Sequence, residues 1–96
     1  MGKNDILAIL RDFKERNAER FGILALGVFG SVARDQIRDD SDIDICIKTL
    51  TPNPFNLVHI KQEIERRTMR KIDLVRIREA MNPSLKKRIE TEGEYV

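Results

Sequence analysis

Residues 23–48, ILALGVFGSVARDQIRDDSDIDICIK, decide how the chain folds. Ile23 to Phe29 is an unbroken apolar run, which reads as a strand covered on both faces and hence central in its sheet. Gly30-Ser31 breaks it. Val32 to Ile37 is long enough for one or two helical turns, and Arg38 to Ser41 is a polar loop. Asp42 to Lys48 then alternates with period two. Ile43, Ile45 and Ile47 point one way; Asp42, Asp44, Cys46 and Lys48 point the other.

Upstream, Asn4 or Asp5 is positioned to cap a helix in which Ile6, Ile9, Leu10 and Phe13 recur at helical spacing. Phe21-Gly22 closes that helix, glycine being the usual residue past a helix end. Downstream, Pro52 and Pro54 punctuate a loop, and Leu57, Ile60 and Ile64 mark a helix ending near Arg70. Lys71 to Ile77 is a third strand, with Ile72 and Leu74 on either side of Asp73. Asn82-Pro83 is a cap followed by proline at the first helical position, and Leu85 and Ile89 continue that helix. The expected class is α/β, or α+β by some schemes. It has the order αβαβαβα, with a three-stranded mixed sheet and helices packed against it, in one domain over residues 1–96.

Composition narrows the function classes. At 41% hydrophobic and 35% charged residues, the chain reads as soluble and globular. The run from Ile23 to Phe29 is far short of the ~20 residues that span a bilayer, and Met1 to Asp5 has no signal-peptide core. With Cys46 as its one cysteine, the chain has no internal disulfide, and the cytoplasm is the expected location. Charge is unevenly spread. Five aspartates face one arginine between Asp35 and Asp44, whereas ten Lys or Arg face four acids between Lys61 and Arg88. Much of that basic excess reads as a solvated helix face, and the rest suits an anionic substrate or partner.

Two aspartates at i and i+2 of a strand share a face, ~6.5–7 Å apart. Like charges so placed repel, and a hard divalent cation such as Mg²⁺ relieves the repulsion. Asp73 opens the third strand as Asp42 opens the second. One helix separates the two strands, so they are expected to run parallel. If they are neighbours, Asp73 lies one strand spacing from the pair, and three carboxylates can hold two ions for in-line displacement at phosphorus. Gly30-Ser31, at a strand end before a short helix, offers backbone N–H groups and a hydroxyl to an anion. Arg34, one turn in, is within reach of a triphosphate. Each piece alone has an ordinary reading as a turn, a strand boundary or a solvated charge; the combination is far more specific.

Gly30-Ser31, ten intervening residues and Asp42-Ile43-Asp44 reproduce the GSx10DxD pattern, and the chain resembles the nucleotidyltransferase superfamily typified by DNA polymerase beta. More narrowly it resembles the minimal nucleotidyltransferases paired, as antitoxins, with HEPN-domain toxins. Ile72-Asp73-Leu74-Val75 and Glu92-Gly93 extend the likeness over nearly the whole chain. The resemblance implies that Gly30 and Ser31 bind the triphosphate, that Asp42 and Asp44 ligate two Mg²⁺ ions, and that Asp73 ligates the catalytic ion and helps activate the attacking hydroxyl. It further implies ATP as substrate and transfer of AMP to a tyrosine of a HEPN-type toxin. Val32 and Asp35 depart from the common pattern, the latter adding negative charge near the phosphate site. No segment suggests a further domain for a template, tRNA or antibiotic, so the acceptor is expected to come from another protein, in a hetero-oligomer or with a homo-oligomer still open. The alternative is a binding module that neutralises its partner by masking it. RNA binding is the weaker reading, because most of the aromatic residues sit in apolar patterns.

Overall fold

The computed structural model describes residues 1–96. Helix α1 (Lys3–Phe21) is followed by strands β1 (Ile23–Phe29) and β2 (Ile43–Thr49), helix α2 (Pro54–Thr68), strand β3 (Ile72–Arg76), helix α3 (Pro83–Glu92) and a two-residue strand β4 (Glu94–Tyr95). The sheet is mixed and runs in the order β3-β2-β1-β4. β1 pairs antiparallel with β2 and β4, and β2 pairs parallel with β3 across the α2 crossover.

The alternation read in the sequence divides the sheet into two faces. Ile43, Ile45 and Ile47 are fully buried together with Leu26 and Val28 of β1, Ile6, Leu10 and Phe13 of α1, and Ile60 and Ile64 of α2. On the opposite face Phe29, Cys46 and Ile89 form a smaller cluster, which α3 covers. β1 is central as expected. Only Leu24 is largely exposed, beside a register shift between Ile23 and Ala25.

The αβαβαβα expectation needs two corrections. Residues 30–35 form overlapping turns rather than a helix: Arg34 N–H donates to Gly30 O and Asp35 N–H to Val32 O. Gly30 and Asp35 both adopt positive φ, and left-handed residues at both ends stop a helix from propagating. The sheet also has four strands rather than three. β4 is too short to show alternation, and Gly27 is what admits it. A Cβ on Gly27 would collide with the Glu94 carbonyl and press on the Tyr95 ring.

The caps differ in detail. Gly2, not Asn4 or Asp5, is the N-cap of α1, and Asp5 accepts its N–H at 2.9 Å. Gly22 closes α1 in the left-handed conformation. Asn53 and Asn82 cap α2 and α3 with proline at the next position. His59 is exposed and packs against Phe21.

Gly27→Ala should therefore cost about 1–3 kcal/mol by overpacking, read from urea unfolding, with the loss concentrated in the β1–β4 pairing. A neutral outcome would mean that β4 contributes nothing to the fold.

Candidate active site

The second strand delivers its carboxylates by register. Asp44 pairs with Phe29 of β1 on one side and with Asp73 of β3 on the other. Residues directly paired across strands share a face, so Asp44 and Asp73 stand side by side, ~4.8 Å apart at the backbone. Asp42 precedes β2 by one residue and is exposed. The loop leading into it is tied down by Arg70, whose Nη2 donates to the carbonyls of Arg38 and Ser41.

Asp44 is half-buried and its carboxyl is pushed above the ordinary carboxylate range. Burial is the main cause and the charge of Asp73 the second; Arg88 opposes the shift, and Asp42 adds to it. Three carboxylates around one strand end are an all-oxygen donor set, and their mutual repulsion is the kind a hard cation relieves. No three acidic, His or Cys side chains are drawn together into a cage on their own. Mg²⁺ takes one or two carboxylates plus substrate phosphates, so this donor set fits an ion that arrives with a triphosphate.

Gly30 stands against this group. Its φ is 69°, and a Cβ there would collide with Oδ2 of Asp44 and sit 3.5 Å from an Nη atom of Arg88. Ser31, Arg34, Gln36, Ile37, Arg38 and Ser41 line a polar hollow of about 650 Å³ that holds two arginines and no carboxylate. That volume suits a small-molecule ligand. A smaller groove of about 480 Å³ at the free edge of β3 is mostly apolar and lies apart from these residues.

Arg34 is not a free arm on a helix. Its Nη1 donates to both Glu92 oxygens, at 3.0 and 2.9 Å, and Nε to Gln36 at 3.3 Å. Glu92 Oε2 also accepts the Gly30 N–H at 3.0 Å. The sequence reading picked out Gly30, Ser31, Arg34, Asp42, Asp44 and Asp73, and passed over Arg88, Glu92 and Arg70 as supports. Arg88 and Glu92 share a face at i, i+4 of α3, but their spacing carries no sign of where that face lands. Cys46, on the Asp44 side of β2, is buried; burial pushes its thiol up, with the Tyr95 hydroxyl partly offsetting this.

The sequence matches the family described as polymerase beta nucleotidyltransferase over residues 10–96. The chain belongs to this family. A provisionally assigned protein adenylyltransferase of Methanocaldococcus jannaschii is 31% identical over 94 residues, spanning 97% of this chain and 96% of the relative. Protein adenylyltransferase MntA of Thermococcus cleftensis is 30% identical over 93 residues, spanning 96% and 93%. A provisionally assigned minimal nucleotidyltransferase of known structure superposes with a TM-score of 0.80 at 25% identity, over 98% of this chain and 95% of its own. The complex of tri-AMPylated Shewanella oneidensis HEPN toxin with MNT antitoxin shares the fold, with a TM-score of 0.61 at 22% identity over 97% and 66%. The nucleotidyltransferase fold accounts for the mixed sheet, with its carboxylates at one end of β2 and β3.

A carboxyl raised in the folded state stabilises the fold below its unfolded value and loses that contribution as pH climbs through the folded one. Ionised Asp44 therefore weakens the metal-free protein at neutral pH. Asp44→Asn should raise the melting temperature in chelator by roughly a few degrees at pH 7, and the gain should vanish near pH 3, where the wild-type carboxyl is also protonated. A gain that persists at low pH would assign the effect to packing instead.

Proposed function

We propose that this protein is a Mg²⁺-dependent nucleotidyltransferase that moves AMP from ATP onto a tyrosine hydroxyl of a HEPN-type toxin, and so acts as its antitoxin. The observation that carries the reading is the in-register pairing of Asp44 with Asp73, with Gly30 packed against Asp44. Family membership supports the reaction type. The adenylyltransferase relatives and the AMPylated toxin bound to an MNT antitoxin support the nucleotide and the acceptor. One domain over residues 1–96 carries both halves of the site. The triphosphate donor and the single buried thiol suit a cytoplasmic setting, and no helix is long and apolar enough to cross a membrane.

Each residue has a distinct task. Gly30, whose N–H is taken by Glu92, leaves room for the triphosphate to approach, Ser31 offers its backbone N–H and hydroxyl, and Arg34 supplies a cation at the same hollow. Asp42, Asp44 and Asp73 would hold the metal ions. Bound there, Mg²⁺ neutralises charge on the phosphates and stabilises the entering and leaving oxygens. Asp73, exposed on β3 beside Asp44, accepts the proton of the incoming hydroxyl. The acceptor oxygen then bonds to the α-phosphorus, the bond from that phosphorus to the bridging β-phosphate oxygen breaks, and pyrophosphate departs with its electron pair.

The test is transfer of label from α-labelled ATP, with Mg²⁺, to the protein encoded beside this one. Asp42→Asn and Asp44→Asn should each lower transfer by roughly a hundredfold or more while leaving binding to the partner intact. Neutralisation of the partner that survives both substitutions, with no label transferred by wild type, would replace catalysis by masking.

A further inference from the structure

We propose that Glu92 is a positioning residue for the triphosphate site, anchoring the turn at Gly30 and holding Arg34 so that Ser31 and Arg34 face the nucleotide correctly. The proposal rests on the reading of the Gly30–Arg34 turn as that site.

β4 pairs with β1 at Gly27↔Tyr95 and Val28↔Glu94. Continued in the same register, the ladder would bring residue 92 opposite Gly30, but the backbone of 92 still belongs to α3. The Glu92 side chain takes over instead. Its Oε2 accepts the Gly30 N–H at 3.0 Å, as a strand carbonyl would. The same carboxylate accepts two bonds from Arg34 Nη1. A long arginine stem, free in water, is thereby fixed by charge-assisted bonds of good length. Gln36 takes Nε, and Nη2 is left without a protein acceptor.

The placement of the polar hollow gives the arrangement a direction. Arg34 and Ser31 line it, and Glu92 does not. Glu92 thus holds Arg34 from behind instead of filling the space the anion would enter. A second tie acts at the same turn: Lys3 donates to Ala33 O at 3.1 Å and pairs with Glu94 at 2.7 Å. The chain segments at both ends of the sequence thus secure residues 30–34 and leave Arg34 Nη2 free for an anion in the hollow.

Calorimetric titration of the full chain with Mg²⁺-ATP tests this without the partner protein. Glu92→Ala should weaken ATP binding roughly tenfold, the usual scale for losing a group that orients a ligand-binding residue. Glu92→Gln should fall between Ala and wild type, because its amide oxygen still accepts from Gly30 while the negative charge facing Arg34 is lost. On an Arg34→Ala background, either substitution should cost markedly less than on wild type. Melting curves run alongside separate misfolding from loss of orientation; if Glu92→Ala does not fold, Glu92→Gln and its double variant decide the matter. Unchanged affinity in a folded variant overturns the proposal. So does tighter binding, which would make Glu92 a competing anion. A wild-type chain that binds no ATP overturns the functional reading itself, and this proposal with it.

Discussion

The rest of the molecule depends on the burial of Ile43, Ile45 and Ile47 beneath α1 and α2, because that burial fixes which way β2 faces. Each fully buried isoleucine contributes roughly 1.5–3 kcal/mol. Two carboxylates one strand apart oppose each other by roughly 1–3 kcal/mol at aqueous to near-surface dielectric. The apolar term wins, so the strand keeps its register although Asp44 and Asp73 are set side by side. A slip by one residue would bury the aspartates and expose the isoleucines. The charge conflict at the site is therefore imposed by the core, and it persists until something cationic arrives.

The same logic explains how much of the protein was legible in its sequence. β2 declared itself because isoleucine recurs at every second residue with Asp42, Asp44 and Lys48 between, and β1 because a run of seven apolar residues has few other readings. Asn53-Pro54 and Asn82-Pro83 marked two helix starts through local chemistry alone. Asp73 could be placed beside Asp44 from topology, since a strand–helix–strand connection makes parallel neighbours.

What escaped was everything long-range and short. β4 spans two residues and exists because Gly27 leaves room for the Glu94 carbonyl, a fact about space that no periodicity encodes. The turns over 30–35 have a helix-like length, but the left-handed residues at both ends came from tertiary fit. Arg34 looked like a lone cation because its partner, Glu92, is fifty-eight residues away in the chain. Arg70 and Arg88 were visible only as members of a basic run. Sequence reasoning thus found the groups suited to touch substrate and missed those that hold them, because the former repeat a chemical pattern while the latter only have to reach.

Gly30 and Asp44 occupy one shared volume, since any side chain at position 30 would need the space taken by the Asp44 carboxylate. A change at either position is therefore felt at the other. A lineage that abandoned the chemistry would lose the reason to keep either, and once Asp44 shrank, position 30 would have room for a residue that tolerates its left-handed backbone, such as asparagine. Gly27 is constrained by a different neighbour, the β4 backbone, and would remain glycine after catalysis had gone. Drift at 30 and 44 with constancy at 27 would thus mark descendants that keep the fold and have given up the reaction.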